Sequence, residues 1–161
     1  MSVVPYGISG IPMVIDGSKM AIDINRLVEV RDKARELLIR LDKEFPYIHL
    51  GSSLAALDII NIIIRIMRRG NDDCRDWFIL SIGHVAPALY AILAIEGLIP
   101  VDKLMEVNQS SSNISTHADN LDLPYIDATT GSLGQGGSVW VWVWHWRIRP
   151  GGGAVMVSFM F

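Results

Sequence analysis

Three histidines stand beside or near glycine in loops or at element ends: His49 in YIHLGSSLAALD, His84 in LSIGHVAPALY and His117 in STHADNLDLPYIDATTGSLGQG. Histidines so placed can line a ligand site, because a neighbouring glycine lets a ligand approach the backbone closely. Taken singly, each also reads as an ordinary surface or capping histidine. No pair has the close spacing of a zinc site. The run TTGSLGQGG can present backbone N–H groups to an anion, or serve as a flexible loop. It has neither the P-loop spacing with its lysine nor the dinucleotide G-x-G-x-x-G. The single cysteine, Cys74, excludes an internal disulfide and reads as a packing residue in a reducing cytosol.

These groups must be held by regular elements, and the apolar pattern supplies them. Leu27, Val30, Ala34, Leu37, Leu38, Leu41 and Phe45 recur at spacings of three and four, with charged residues between them. That pattern predicts an amphipathic helix capped by Asp23 and ended by Pro46. A second helix is expected from Ser53 to Arg69, with Ser52 as cap and Gly70 as stop. Its polar stripe, Asp58, Asn61, Arg65 and Arg68, reads as a narrow wet face on an otherwise apolar helix, buried in a core or between subunits. Trp77 to Leu80 is a short run of strand type. A third helix, Pro87 to Glu96, stops at Gly97, Pro100 opens a short fourth, and 108–130 is irregular. Helix, strand, loop, helix predicts an α/β layer fold with a parallel sheet.

Composition removes several classes. The chain has 161 residues, room for one domain, and its net charge of -3 leaves no basic footprint for nucleic acid. The apolar run Leu54 to Met67 carries Asp58, Asn61 and Arg65, so it is no membrane span. The first twenty residues lack a basic n-region, and Asp16 interrupts their apolar part, so no secretory signal is read there. A soluble, cytoplasmic protein is expected. Met20 stands just before the first helix and is a candidate initiator.

Taken in order, the segments resemble the transketolase family, in the short form whose N-terminal half is a separate subunit. The family's His-x-Gly entry into an apolar helix is matched by IHLGSSLAALDII, and its R-D-x-F-x-L-S-x-G-H run by RDWFILSIGHVAPALYAIL. A histidine fourteen residues before the first glycine of T-T-G-x-L-G-Q-G is matched by His117 and Gly131. The resemblance covers Asp23 to Gly136. Deoxyxylulose phosphate synthases share G-S-S-L but lack T-T-G-S-L-G-Q-G and match less well.

The resemblance implies a partial thiamine-diphosphate-binding fold, α/β, with helices around a parallel sheet and an incomplete C-terminal part. It implies transfer of a two-carbon ketol unit between sugar phosphates, with thiamine diphosphate and Mg2+ as cofactors. His49 and His117 correspond to substrate-channel positions, and His84, Gly131 and Leu133 to cofactor contacts; Ser132 stands where many relatives have proline. The partner it implies is the C-terminal transketolase subunit. A homodimer contact is expected through the Leu54–Met67 helix.

After TTGSLGQG the family continues into a small-residue helix and then a strand ending in G-D-G, with an asparagine further on, and those residues hold the metal. Here residues 138–161 read instead SVWVWVWHWRIRPGGGAVMVSFMF, so no metal ligand is assigned. At face value Trp140, Trp142, Trp144 and Trp146 would line one face of a strand, an aggregation-prone arrangement. A frameshift after Gly137 accounts for the run better. Read from the third base of each codon, every Trp-Val junction becomes glycine, and the frame permits G-L-S-V-G-V-G-M-A-L-A, the family helix. The expected organisation is an extension at 1–19, poorly ordered, a transketolase-like domain at 20–137 and an anomalous tail at 138–161. A chain of this kind is expected to be inactive alone and to bind cofactor poorly. The alternative is a non-catalytic interaction protein or a sensor of thiamine diphosphate.

Overall fold

The computed structural model describes residues 15–16, 19–20, 23–67, 76–107, 109, 112, 114–132, 134–147 and 156–158. Cys74, Gly70, Arg68 and Leu133 therefore lie outside the described residues. Near the N-terminus β1 (Ile15–Asp16) pairs antiparallel with β2 (Lys19–Met20).

Helix α1 (Ile24–Glu44) begins as the sequence predicts: the Asp23 carboxylate accepts the Arg26 N–H at 3.1 Å and satisfies one otherwise orphan donor. Val30, Ala34, Leu37, Leu38 and Leu41 form its buried stripe. Helix α2 (Leu50–Ile66) starts three residues before the expected Ser53. His49, in left-handed conformation at φ 55°, is its N-cap and makes no side-chain capping bond. The Ser53 N–H already bonds the His49 carbonyl at 3.1 Å, so Ser52 lies inside the helix rather than at its cap.

The polar stripe of α2 is the larger correction. Asn61 and Arg65 point inward. Asn61 Nδ2 donates to the Leu27 carbonyl on α1 at 2.9 Å, and Arg65 pairs with Glu96 at the end of α3. Arg26 of α1 reaches the same Glu96 at 3.3 Å, so one carboxylate ties three helices together. The wet face proper holds Asp58 beside exposed Ala55, Ile59 and Ile62. The helix therefore presents isoleucines outward and keeps two of its polar groups inside.

Strand β3 (Trp77–Ile79) leads through a 3-10 turn (Gly83–Val85) into α3 (Ala86–Ile95). Every residue from Ala86 to Ala94 is buried, against α1 and α2. Gly97, at φ 77°, ends α3 with the paired bonds Leu98 N–H to Leu93 O and Gly97 N–H to Ala94 O. Pro100 opens the short α4 (Val101–Leu104).

The tryptophan-rich segment is helical. Residues Gln135–Arg147 form α5, so Trp140, Trp142, Trp144 and Trp146 do not line a strand. Val143 packs on Ile79 and Ala128, whereas Val141 and Trp142 are 58% and 68% exposed. Alternating Val and Trp puts apolar groups all round a 3.6-residue period, so no single face can bury them. Strand β4 (Met156–Ser158) pairs parallel with β3. This two-stranded parallel pairing and the helices are what the described residues show of the expected α/β layer.

Candidate functional site

Three turns of backbone converge where β3 gives way to α3. His84 lies in the 3-10 turn at the entry to α3, half-buried. His49, at the start of α2, sets its ring edge-on to that of His84, with centroids 5.4 Å apart and planes at 60°. A non-glycine residue held at positive φ stores strain, and such positions collect at functional sites.

His117 reaches the same place from the long irregular segment. The Thr130 N–H bonds the Ala118 carbonyl at 2.9 Å, closing residues 118–130 into a compact loop. Asp119 and Asn120 reinforce the closure through the Thr129 hydroxyl, at 2.8 and 2.5 Å. His117 and Gly131 are the residues just outside this neck, which is why a separation of fourteen in sequence becomes adjacency in space. The buried Thr130 hydroxyl then donates to the Leu80 carbonyl, docking the neck on the end of β3.

Glycine makes the convergence possible. A Cβ built on Gly83 would lie 2.8 Å from Gly131 Cα and 2.9 Å from His117 Cδ2. The two backbones and the imidazole edge already touch, and no side chain fits between them. Gly131 differs: the nearest atoms to a Cβ there belong to His117, none closer than 3.8 Å. Its backbone therefore has room on one side. At Gly136 a Cβ would meet Ser81 Cα at 2.5 Å, so the start of α5 is seated directly on the strand exit.

The electrostatics follow from the packing. Burial lowers the pKa of His84 below its ordinary 6.5, and the nearby His49 and His117 imidazoles lower it further. At neutral pH His84 is thus a neutral ring with one N–H to donate and one nitrogen to accept. Among the described residues no group of three or more His, Cys, Asp or Glu could hold a metal ion.

Of the residues singled out from sequence, His49, His84, His117 and Gly131 come together, and Leu133 lies outside the described residues. Sequence reasoning missed Gly83, Tyr90, Ser115 and Thr130 as supports. The glycine next to His84 was the one local signal available for them.

The pattern "Transketolase, thiamine diphosphate binding domain" matches residues 33–144. The chain belongs to the transketolase family. A 6-deoxy-6-sulfo-D-fructose transketolase subunit from Clostridium sp. (strain MSTE9) is 38% identical over 98 residues, covering 58% of this chain and 36% of that protein. An apulose-4-phosphate transketolase subunit from Phocaeicola vulgatus is 30% identical over 115 residues, covering 68% of this chain and 41% of that one. Among solved structures, transketolase from Leishmania mexicana matches with a TM-score of 0.68 at 22% identity, over 83% of this chain and 22% of that one. The chain spans less than half the length of each of these relatives. Its fold is that of a piece of the transketolase thiamine-diphosphate-binding domain. Among the described residues no helix is long and apolar enough to cross a membrane.

Proposed function

We propose that the site formed by His49, His84, His117 and Gly131 is the cofactor and substrate face of a transketolase N-terminal subunit. The family reaction moves a two-carbon ketol unit between sugar phosphates. The observation that carries the reading is the meeting of three imidazoles over a glycine pair whose backbone is open at Gly131. That arrangement fits the uncharged contacts of thiamine diphosphate: Gly131, and by the family resemblance Leu133, would meet its aminopyrimidine ring. His84, kept neutral, would donate its N–H to a phosphate oxygen. His49 and His117 would bind sugar hydroxyls and hold or pass their protons. When bound, the cofactor supplies the carbon nucleophile that takes up the ketol unit.

The charge on the diphosphate is a separate matter. Doubly charged phosphate needs a cation, and residues 138–161, which stand where the family's metal-holding strand follows, contain neither aspartate nor asparagine. We propose that residues 1–161 by themselves bind cofactor weakly, have no transketolase activity and require a C-terminal subunit. Titration calorimetry of the 161-residue protein with thiamine diphosphate and Mg2+ tests this. No binding below millimolar concentration is expected, and submillimolar affinity would overturn it. The same result would revive a thiamine-diphosphate sensor.

The frameshift after Gly137 is part of this proposal. The exposed Val141 and Trp142 on a helix that cannot bury its apolar residues on one face support it. Sequencing the DNA across the Gly136 codon decides it: codons that spell the small-residue helix in no frame would refute it. The outward stripe of Ala55, Ile59 and Ile62 on α2, with the isoleucines 40% and 42% exposed, supports a homodimer contact at that helix. A cytoplasmic location accords with this metabolic role.

A further inference from the structure

We propose that Tyr90 is the positioning residue for His117: its hydroxyl, aided by Ser115, clamps the His117 carbonyl so that α3 sets the placing of two site histidines at once. The inference rests on reading His117 as a site group.

Tyr90 is fully buried on the second turn of α3, and a buried hydroxyl left without a partner is costly. It donates neither to its own helix nor across the core. Instead it reaches the His117 carbonyl at 2.7 Å. The Ser115 hydroxyl donates to the same oxygen at 2.7 Å, so both lone pairs of one loop carbonyl are filled. Burial holds the Tyr90 phenol well above its usual range, so it remains a donor wherever the protein is folded.

The element on which the clamp stands is the most buried helix of the described chain. α3 carries His84 directly, in the turn at its entry, and carries His117 through Tyr90. The imidazole edge of His117 is thereby pressed toward Gly83. The Thr130 bond to the Ala118 carbonyl fixes where the segment returns but does not reach the His117 carbonyl, which only Tyr90 ties to α3. Tyr90, with Ser115, holds that carbonyl in place.

The test compares acylation of His49, His84 and His117 by diethyl pyrocarbonate in the full chain, read peptide by peptide by mass spectrometry. In Tyr90→Phe the rate at His117 is expected to rise about fivefold, equivalent to about 1 kcal/mol, with His49 and His84 unchanged. Ser115→Ala should act on the same histidine, more weakly, and the double variant more strongly than either. An unchanged His117 rate would overturn the proposal, and so would a rise at all three histidines, which marks general loosening. Should Tyr90→Phe not fold, Ser115→Ala alone decides, since no selective rise at His117 in that variant also overturns the clamp. Cofactor affinity does not enter this readout, so failure of the cofactor reading and failure of the clamp are told apart.

Discussion

Alanine at position 83 puts a methyl group 2.8 Å from Gly131 Cα, 2.9 Å from His117 Cδ2 and 3.1 Å from the Gly131 carbonyl oxygen. Two of those three atoms are backbone, and the backbone of Gly131 is held by the bonds of Thr130 to Ala118 and Leu80. The neighbour cannot step aside without breaking the neck of the 118–130 loop. Overpacking of this kind costs about 1–3 kcal/mol. Against it stands the smaller conformational freedom of unfolded alanine, about 0.4–1 kcal/mol. The net expectation is a loss of about 1–2 kcal/mol, a fall in Tm of roughly 2–8 °C for a chain of this size.

Gly131→Ala is the control, because the atoms nearest its methyl group belong to His117, at 3.8 Å or more, and no positive φ is required there. Its stability should lie within about 0.5 kcal/mol of the parent. Urea denaturation followed by circular dichroism measures both variants. The steric argument fails if Gly83→Ala is as stable as the parent, or if Gly131→Ala is the worse of the two.

Three further outcomes are expected. His84 resists protonation in the folded state, so the unfolded chain binds more protons as pH drops below the ordinary 6.5, and stability declines there. Denaturation midpoints at a series of pH values should show that decline, reduced in His84→Gln; equal slopes would contradict it. Glu96→Gln strips the partner from Arg65, whose side chain is 12% exposed, and should cost about 3–5 kcal/mol. The double change Arg65→Met with Glu96→Leu should recover most of that loss in a double-mutant cycle, and additive losses would argue against a coupled pair. Ile59→Glu with Ile62→Glu should leave the fold intact and shift any dimer to monomer in sedimentation velocity; a dimer that survives both charges does not use this face.

Much of the scaffold was legible in the sequence because it depends on neighbours in sequence. The Asp23 cap, the buried stripe of α1 and the glycine stop of α3 each follow from residues three or four apart. So did the family, since three motifs in order carry its signature. The orientation of α2 was not legible. Periodicity tells which residues share a face, whereas what that face meets depends on Leu27 and Glu96, 34 and 31 residues away from Asn61 and Arg65.

The same limit hid the supports of the site. That Thr130 closes on Ala118, that Gly83 touches Gly131 and that Tyr90 spends its hydroxyl on His117 are facts of distance, not of composition. The Val-Trp run shows the limit from the other side. Its alternation reads as a strand, yet its backbone is helical, in an element that starts at Gln135 and sets Gly136 close against Ser81. Local sequence thus determined which chemistry-bearing residues the protein has and most of the elements that carry them. Only tertiary structure decided which of them meet, because contacts between distant segments are set by the packing of the whole chain rather than by any one stretch of it.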